Sequence, residues 1–147
     1  MKVQVIFSKG RLVTSSLIRF LTWSRWSHVG VITDRGTVID AYFPRVREVP
    51  LAEFKAPMKR LAVVEFEHDD PEELFAWLRQ QVGKPYDWRA LFGFLARRDT
   101  WNEPSAWFCS ELVAAGFSRT GSPLFRSARL GRITPEDLWK INPRRTL

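Results

Sequence analysis

The chain has 147 residues, 45% of them apolar, which is enough for a single domain spanning 1–147 with a real hydrophobic core. Its one cysteine excludes an intramolecular disulfide and a thiolate-rich metal site. The net charge of +7 comes mostly from scattered arginines and favours an anionic partner or surface. No zinc-finger spacing, leucine heptad or RNP-like aromatic segment accompanies that charge, which disfavours nucleic acid as the partner.

Taken in order, Met1-Lys2-Val3-Gln4-Val5-Ile6-Phe7 has too short an apolar run for a signal peptide or a membrane span. It reads as a first strand over residues 2–7, ended by Ser8-Lys9-Gly10. The cytoplasm is therefore the default residence, with delivery to the cell envelope by another route left open. Leu17, Ile18 and Leu21 give a helical stripe through about residue 22. Trp23 to Ser27 is a polar-aromatic connector.

Two β-branched runs follow, His28 to Thr33 and Thr37 to Tyr42, around the acidic-glycine turn Asp34-Arg35-Gly36. They predict a hairpin. Pairing Thr33 with Thr37 sets Gly30 opposite Asp40 and places His28 and Asp40 on one face, diagonal neighbours. The missing side chain at Gly30 then leaves room for imidazole and carboxylate to meet.

Pro44 to Pro57 reads as irregular, with at most a short turn at Leu51–Phe54. Leu61 to Phe66 reads as a strand. Asp70-Pro71-Glu72-Glu73 is a helix start with an Asp cap, and Leu74, Trp77, Leu78 and Val82 supply its buried stripe up to Gly83. Residues 83–88 form a rigid turn, a short helix carries Leu91, Phe92 and Leu95, and a polar loop runs from Arg97 to Pro104.

Cys109, Leu112, Val113 and Gly116 recur at helical spacing and share the inner stripe of a helix running to about Phe117. Cys109 falls in its first turn, where unpaired N–H groups and the helix dipole favour a thiolate. After a basic loop over residues 118–130, Thr134-Pro135-Glu136-Asp137-Leu138 starts a last helix, with Ile133 and Leu138 as a hydrophobic staple. Few strands and helices in blocks predict an α+β domain with a small antiparallel sheet packed against helices.

A lone cysteine on an apolar stripe is ordinarily a small buried hydrophobe. A nucleophilic one needs a base and a group that orients the base. The chain has two histidines. His28 has Asp40 beside it; His68, in a charged strand-to-helix junction, reads as an exposed or capping residue. No HExxH, GxGxxG or P-loop is present, so neither metal nor cofactor is expected.

The segments His28-Val29-Gly30-Val31 and Val38-Ile39-Asp40-Ala41 resemble the histidine hairpin of the NlpC/P60 papain-like superfamily. Gly83-Lys84-Pro85-Tyr86 and Phe108-Cys109-Ser110-Glu111-Leu112-Val113 resemble its nucleophile region. Here the cysteine follows the hairpin, an order similar to that of the circularly permuted branch, the YiiX/YaeF-like permuted papain-like amidases. The resemblance spans roughly residues 5–117. It implies a circularly permuted papain-like fold with Cys109 as nucleophile, His28 as general base and Asp40 as orienting residue. It also implies an oxyanion site made by Tyr86 and the Cys109 backbone N–H.

The acyl group stays open: a small peptide, amide or lipid substrate, anionic or not, with Trp26, Trp88 and Trp107 as groove candidates. An ester hydrolase or acyltransferase, and a binding module with an idle triad, are the rival readings. Oligomeric state is not legible.

Overall fold

The computed structural model describes residues 1–10, 26–42, 44–86, 109–125 and 133–141. Its elements in chain order are β1 (Lys2–Gly10), β2 (His28–Ile32), β3 (Thr37–Tyr42), β4 (Arg45–Pro50), α1 (Leu51–Lys55), β5 (Met58–Glu67), α2 (Pro71–Gln81), α3 (Cys109–Arg119) and α4 (Pro135–Lys140). The helices expected around residues 17–22 and 91–95, and the polar loop after them, lie outside the described residues.

The five strands form one antiparallel sheet in the order β4-β3-β2-β1-β5. Alternation along each strand divides the interior in two. Val5, Phe7, Val29, Val31, Ile39 and Ala41 face α2, α3 and α4 in the main core. Ile6 and Val38 face the other way and pack with Phe54 of α1. Val5 to Ser8 are all buried, as expected of an inner strand covered on both faces.

The hairpin closes as expected. Thr33 N–H donates to Thr37 O at 2.8 Å and Gly36 N–H to Thr33 O at 3.3 Å, leaving a three-residue loop. Gly36 takes φ +70°, the left-handed conformation such a loop needs at its last position.

The stretch expected to be irregular is not. Arg45–Pro50 is a strand and Leu51–Lys55 a helix. The run between the two prolines, Arg-Val-Arg-Glu-Val, is too charged to announce a strand by itself. β1 runs on to Gly10 because β5 continues the ladder there, Lys9 pairing with Arg60. That pairing lengthens both strands beyond their apolar runs.

α2 begins at the expected cap, Asp70 accepting from Glu73 N–H at 3.1 Å, an arrangement that contributes about 1 kcal/mol. Leu74, Phe75, Leu78 and Gln81 are its buried residues, with Trp77 packed at the margin. Val82 departs from the expected stripe. It caps the helix in an extended conformation and stays 42% exposed. α4 carries a capping box, Thr134 and Asp137 each accepting from the other's N–H, flanked by buried Ile133 and Leu138. Among the described residues no helix is long and apolar enough to cross a membrane.

Candidate active site

α3 lies across β2 and β3, and its residues Cys109, Leu112, Val113 and Phe117 are buried. Leu112 to Ala would cost roughly 2–5 kcal/mol, the usual range for a fully buried leucine. Ser110 Oγ donates to Ile133 O, tying the first turn to the approach of α4. Cys109 is 1% exposed and stands in that first turn.

His28, the first residue of β2, meets Asp40 of β3 through Nε2 and Oδ2 at 2.6 Å. They share a face across the gap at Gly30. A Cβ at position 30 would lie 3.1 Å from that of Asp40 and 2.6 Å from Val38 Cγ1. Glycine is thus required for the two strands to carry this pair. Phe54 stacks beside the imidazole at 5.8 Å, and Tyr42 meets it edge-on at 5.5 Å.

Cys109 approaches the same imidazole as a hydrogen-bonding and electrostatic neighbour. Burial is the largest single influence on His28 and pushes it down. The hydrogen bonds to Asp40 and Cys109 and the negative charge of both push it up, and the sum raises it from 6.5 to about 9.

Sequence reasoning missed Arg47. It stands opposite Asp40 in the β3–β4 register. Its Nε donates to Asp40 Oδ1 at 3.0 Å and its Nη2 to Oδ2 at 3.3 Å. Arg45 to Val49 has no apolar alternation to mark it as a strand, with Val46 and Val49 three residues apart. A third strand after the hairpin would have placed an arginine across from Asp40.

Tyr86 is buried in the main core cluster that also holds Cys109. Its segment docks on β4: Val46 N–H donates to Lys84 O at 2.8 Å, Gly83 N–H to Val46 O at 2.9 Å and Tyr86 N–H to Pro44 O at 3.0 Å. Trp26 is in the core rather than along an open groove. It is 6% exposed, with its ring 5.1 Å from that of Trp139 and 6.0 Å from that of Phe7. A large ring preceding an inner strand gains more by joining this cluster than by facing water. Trp88 and Trp107 lie outside the described residues.

His68 is neither exposed nor beside Cys109's imidazole partner. It is 1% exposed, its Nδ1 accepts from Asp70 N–H at 2.9 Å, and its Nε2 donates to Thr120 Oγ1 at 2.7 Å. Thr120 in turn donates to Gly116 O at 2.7 Å. This neutral histidine ties the start of α2 to the end of α3.

A family model described as permuted papain-like amidase enzyme, YaeF/YiiX, C92 family, matches residues 4–141. Among solved structures, the chain is similar to YiiX from Escherichia coli O157:H7, with a TM-score of 0.64 and 22% identity. That match covers 82% of this chain and 66% of YiiX, so the chain spans just under two thirds of its length. No curated protein matches the chain.

The YiiX structure is titled that of a metalloprotein. Among the described residues here, no group of three or more His, Cys, Asp or Glu side chains is placed to hold a metal ion. Both Asp40 oxygens already face the Arg47 cation, which would repel a second one. This donor set does not fit a metal. With the match running over residues 4–141, on an α+β fold shared with YiiX, the chain belongs to the permuted papain-like amidase family.

Proposed function

We propose that the chain is a thiol amidase or peptidase in which Cys109, His28 and Asp40 act as nucleophile, general base and orienting residue. The observation that carries the reading is the His28 imidazole held by Asp40 at 2.6 Å with Cys109 as its other partner. Family membership supports a hydrolase of amides.

In the forward step Cys109 sulfur, its proton passed to His28, attacks the carbonyl carbon of the substrate. The C–S bond forms and the carbonyl π pair moves to oxygen. Backbone N–H of Cys109 and the Tyr86 hydroxyl are the donors assigned to that oxyanion. Collapse breaks the C–N bond, and the His28 imidazolium gives its proton to the departing amine, leaving a thioester on Cys109. His28 then takes a proton from water, whose oxygen attacks the thioester. The acid leaves and the thiol is restored. The acyl donor fits a small peptide or a lipid-linked amide, with the basic surface favouring an anionic one.

Mass spectrometry of the intact protein during turnover of a panel of amide and ester substrates tests the reading. A thioester adduct confined to Cys109, absent together with activity in C109A, is expected. Undiminished turnover by C109A would sink it. Turnover of esters alone would move the assignment to an ester hydrolase, and tight binding of a panel member without any adduct would move it to a binding module.

A further inference from the structure

Asp40 is 0% exposed yet faces two basic side chains, and only one of them belongs to the chemistry proposed above. The other is Arg47. Its two-point grip on the carboxylate fixes the plane of that group, which a lysine's point charge would not do. Oδ2, the oxygen that receives Nη2, is also the oxygen facing His28 Nε2. The guanidinium lies 3.9 Å over the Tyr42 ring, and the edge of that ring meets His28.

We infer that Arg47 is a positioning residue of this centre, fixing the Asp40 carboxylate toward His28 and supplying the counter-charge that lets a thiolate and an imidazolium coexist there without net charge. The inference rests on the Cys109–His28 pairing of the proposed function.

The charge count carries it. With Arg47 present, Asp40 is already neutralised. Moving the Cys109 proton to His28 then creates an ion pair and leaves the four groups together at zero. Without Arg47 the three remaining groups carry one negative charge whether Cys109 or His28 holds the proton, which is costly in a buried place and draws in a further proton. The favoured form becomes an imidazolium beside Asp40 with the thiol still protonated. Among the described residues, the ionisable groups facing His28 are Asp40 and Tyr42 from β3, Cys109 from α3 and, through Asp40, Arg47 from β4. Phe54 from α1 covers the ring without charge.

The test is the rate of Cys109 alkylation by iodoacetamide from about pH 5 to about pH 10, read by intact mass in the full chain. Wild type is expected to label at the acid end of this range, and H28A to lose that labelling. R47Q is expected to label roughly tenfold more slowly at the acid end while matching wild type at the alkaline end, the effect of deleting a unit charge near the centre. R47K, which restores charge without the two-point grip, is expected to recover only part of the acid-end rate. A merely structural arginine would lower the melting temperature and leave the shape of the profile unmoved, and that result in R47Q, with H28A still defective, overturns the inference alone. An H28A profile like wild type overturns the Cys109–His28 pairing and the inference with it. Should R47Q fail to fold, R47K carries the test. Retained acid-end labelling supports the charge role, and a profile like that of H28A overturns it.

Discussion

Gly30 and Asp40 face each other across β2 and β3 so closely that a methyl group at position 30 would sit 3.1 Å from the Asp40 Cβ. The carboxylate can turn toward His28 because nothing stands beside it on the neighbouring strand. G30A should therefore do two things. It should destabilise the fold by roughly 1–3 kcal/mol, the usual cost of overpacking a buried site. It should also lower turnover more than a core substitution of equal cost elsewhere, because the atoms crowded are those of Asp40 as well as the nearer Val38 Cγ1. Urea denaturation alongside kcat, with Leu112→Ala as the comparison, separates the two effects. Equal loss of activity at equal loss of stability would deny Gly30 a role in the site.

Asp40 itself is fully buried, with His28 and Arg47 as its partners. D40A removes the acceptor that orients the imidazole and leaves Arg47 without its counter-charge. Turnover should fall by about two to four orders of magnitude, in line with the loss of an orienting carboxylate elsewhere. D40N preserves the shape but offers an amide whose N–H₂ can face Nε2, favouring the wrong tautomer. It should be nearly as slow while melting closer to wild type. Measuring kcat and melting temperature for both variants checks this, and a D40N enzyme at wild-type rate would remove Asp40 from the mechanism.

The hairpin shows how much of this was legible in advance. Its period-two alternation and the Asp34-Arg35-Gly36 turn predict the hairpin but leave its register to a supposed Thr33–Thr37 pairing, which the structure has and which puts His28 beside Asp40. The buried helical position of Cys109 was legible because Leu112, Val113 and Gly116 share its stripe, whereas its proposed role as nucleophile comes from the family resemblance. Arg47 was not legible, because β4 is bracketed by prolines and carries charge at half its positions. Its strand character comes from pairing with β3 rather than from its own hydrophobicity, which is the usual fate of an edge strand. Trp26 was misjudged for a related reason. An aromatic in a polar connector looks like surface until Phe7 and Trp139 are known to converge on it.

The titration of His28 sets an alkaline limit. Its folded value, about 9, lies above the ordinary 6.5, so the folded chain holds more protons than the unfolded chain between those values. The stability this confers is present in full below about pH 6.5 and is lost as the pH rises through about 9. The midpoint of urea denaturation should fall over that window in wild type and stay flatter in H28A. Turnover should fall along the same limb, because in the proposed mechanism an imidazolium protonates the leaving amine. A wild-type rate still rising through pH 9 would contradict the proton-donor role of His28.

His68 has the opposite sign. Burial, the largest influence, pushes it below its ordinary value, with the nearby acidic side chains Asp69, Asp70 and Glu73 opposing that shift. Its Nδ1 must be unprotonated to accept from Asp70 N–H, while Nε2 serves Thr120. The unfolded chain therefore takes up the proton first. The stability conferred by the neutral ring is present above about pH 6.5 and is lost as the pH falls through the depressed folded value. Protonation breaks the Asp70 contact at the start of α2 and places a charge in a buried position between α2 and α3. In H68Q the side-chain amide has one oxygen and one N–H₂ to replace these two bonds. Its denaturation midpoint should be lower than that of wild type near neutrality but less sensitive to acid. An acid limb of equal steepness in the two proteins would show that other groups, not His68, control acid stability.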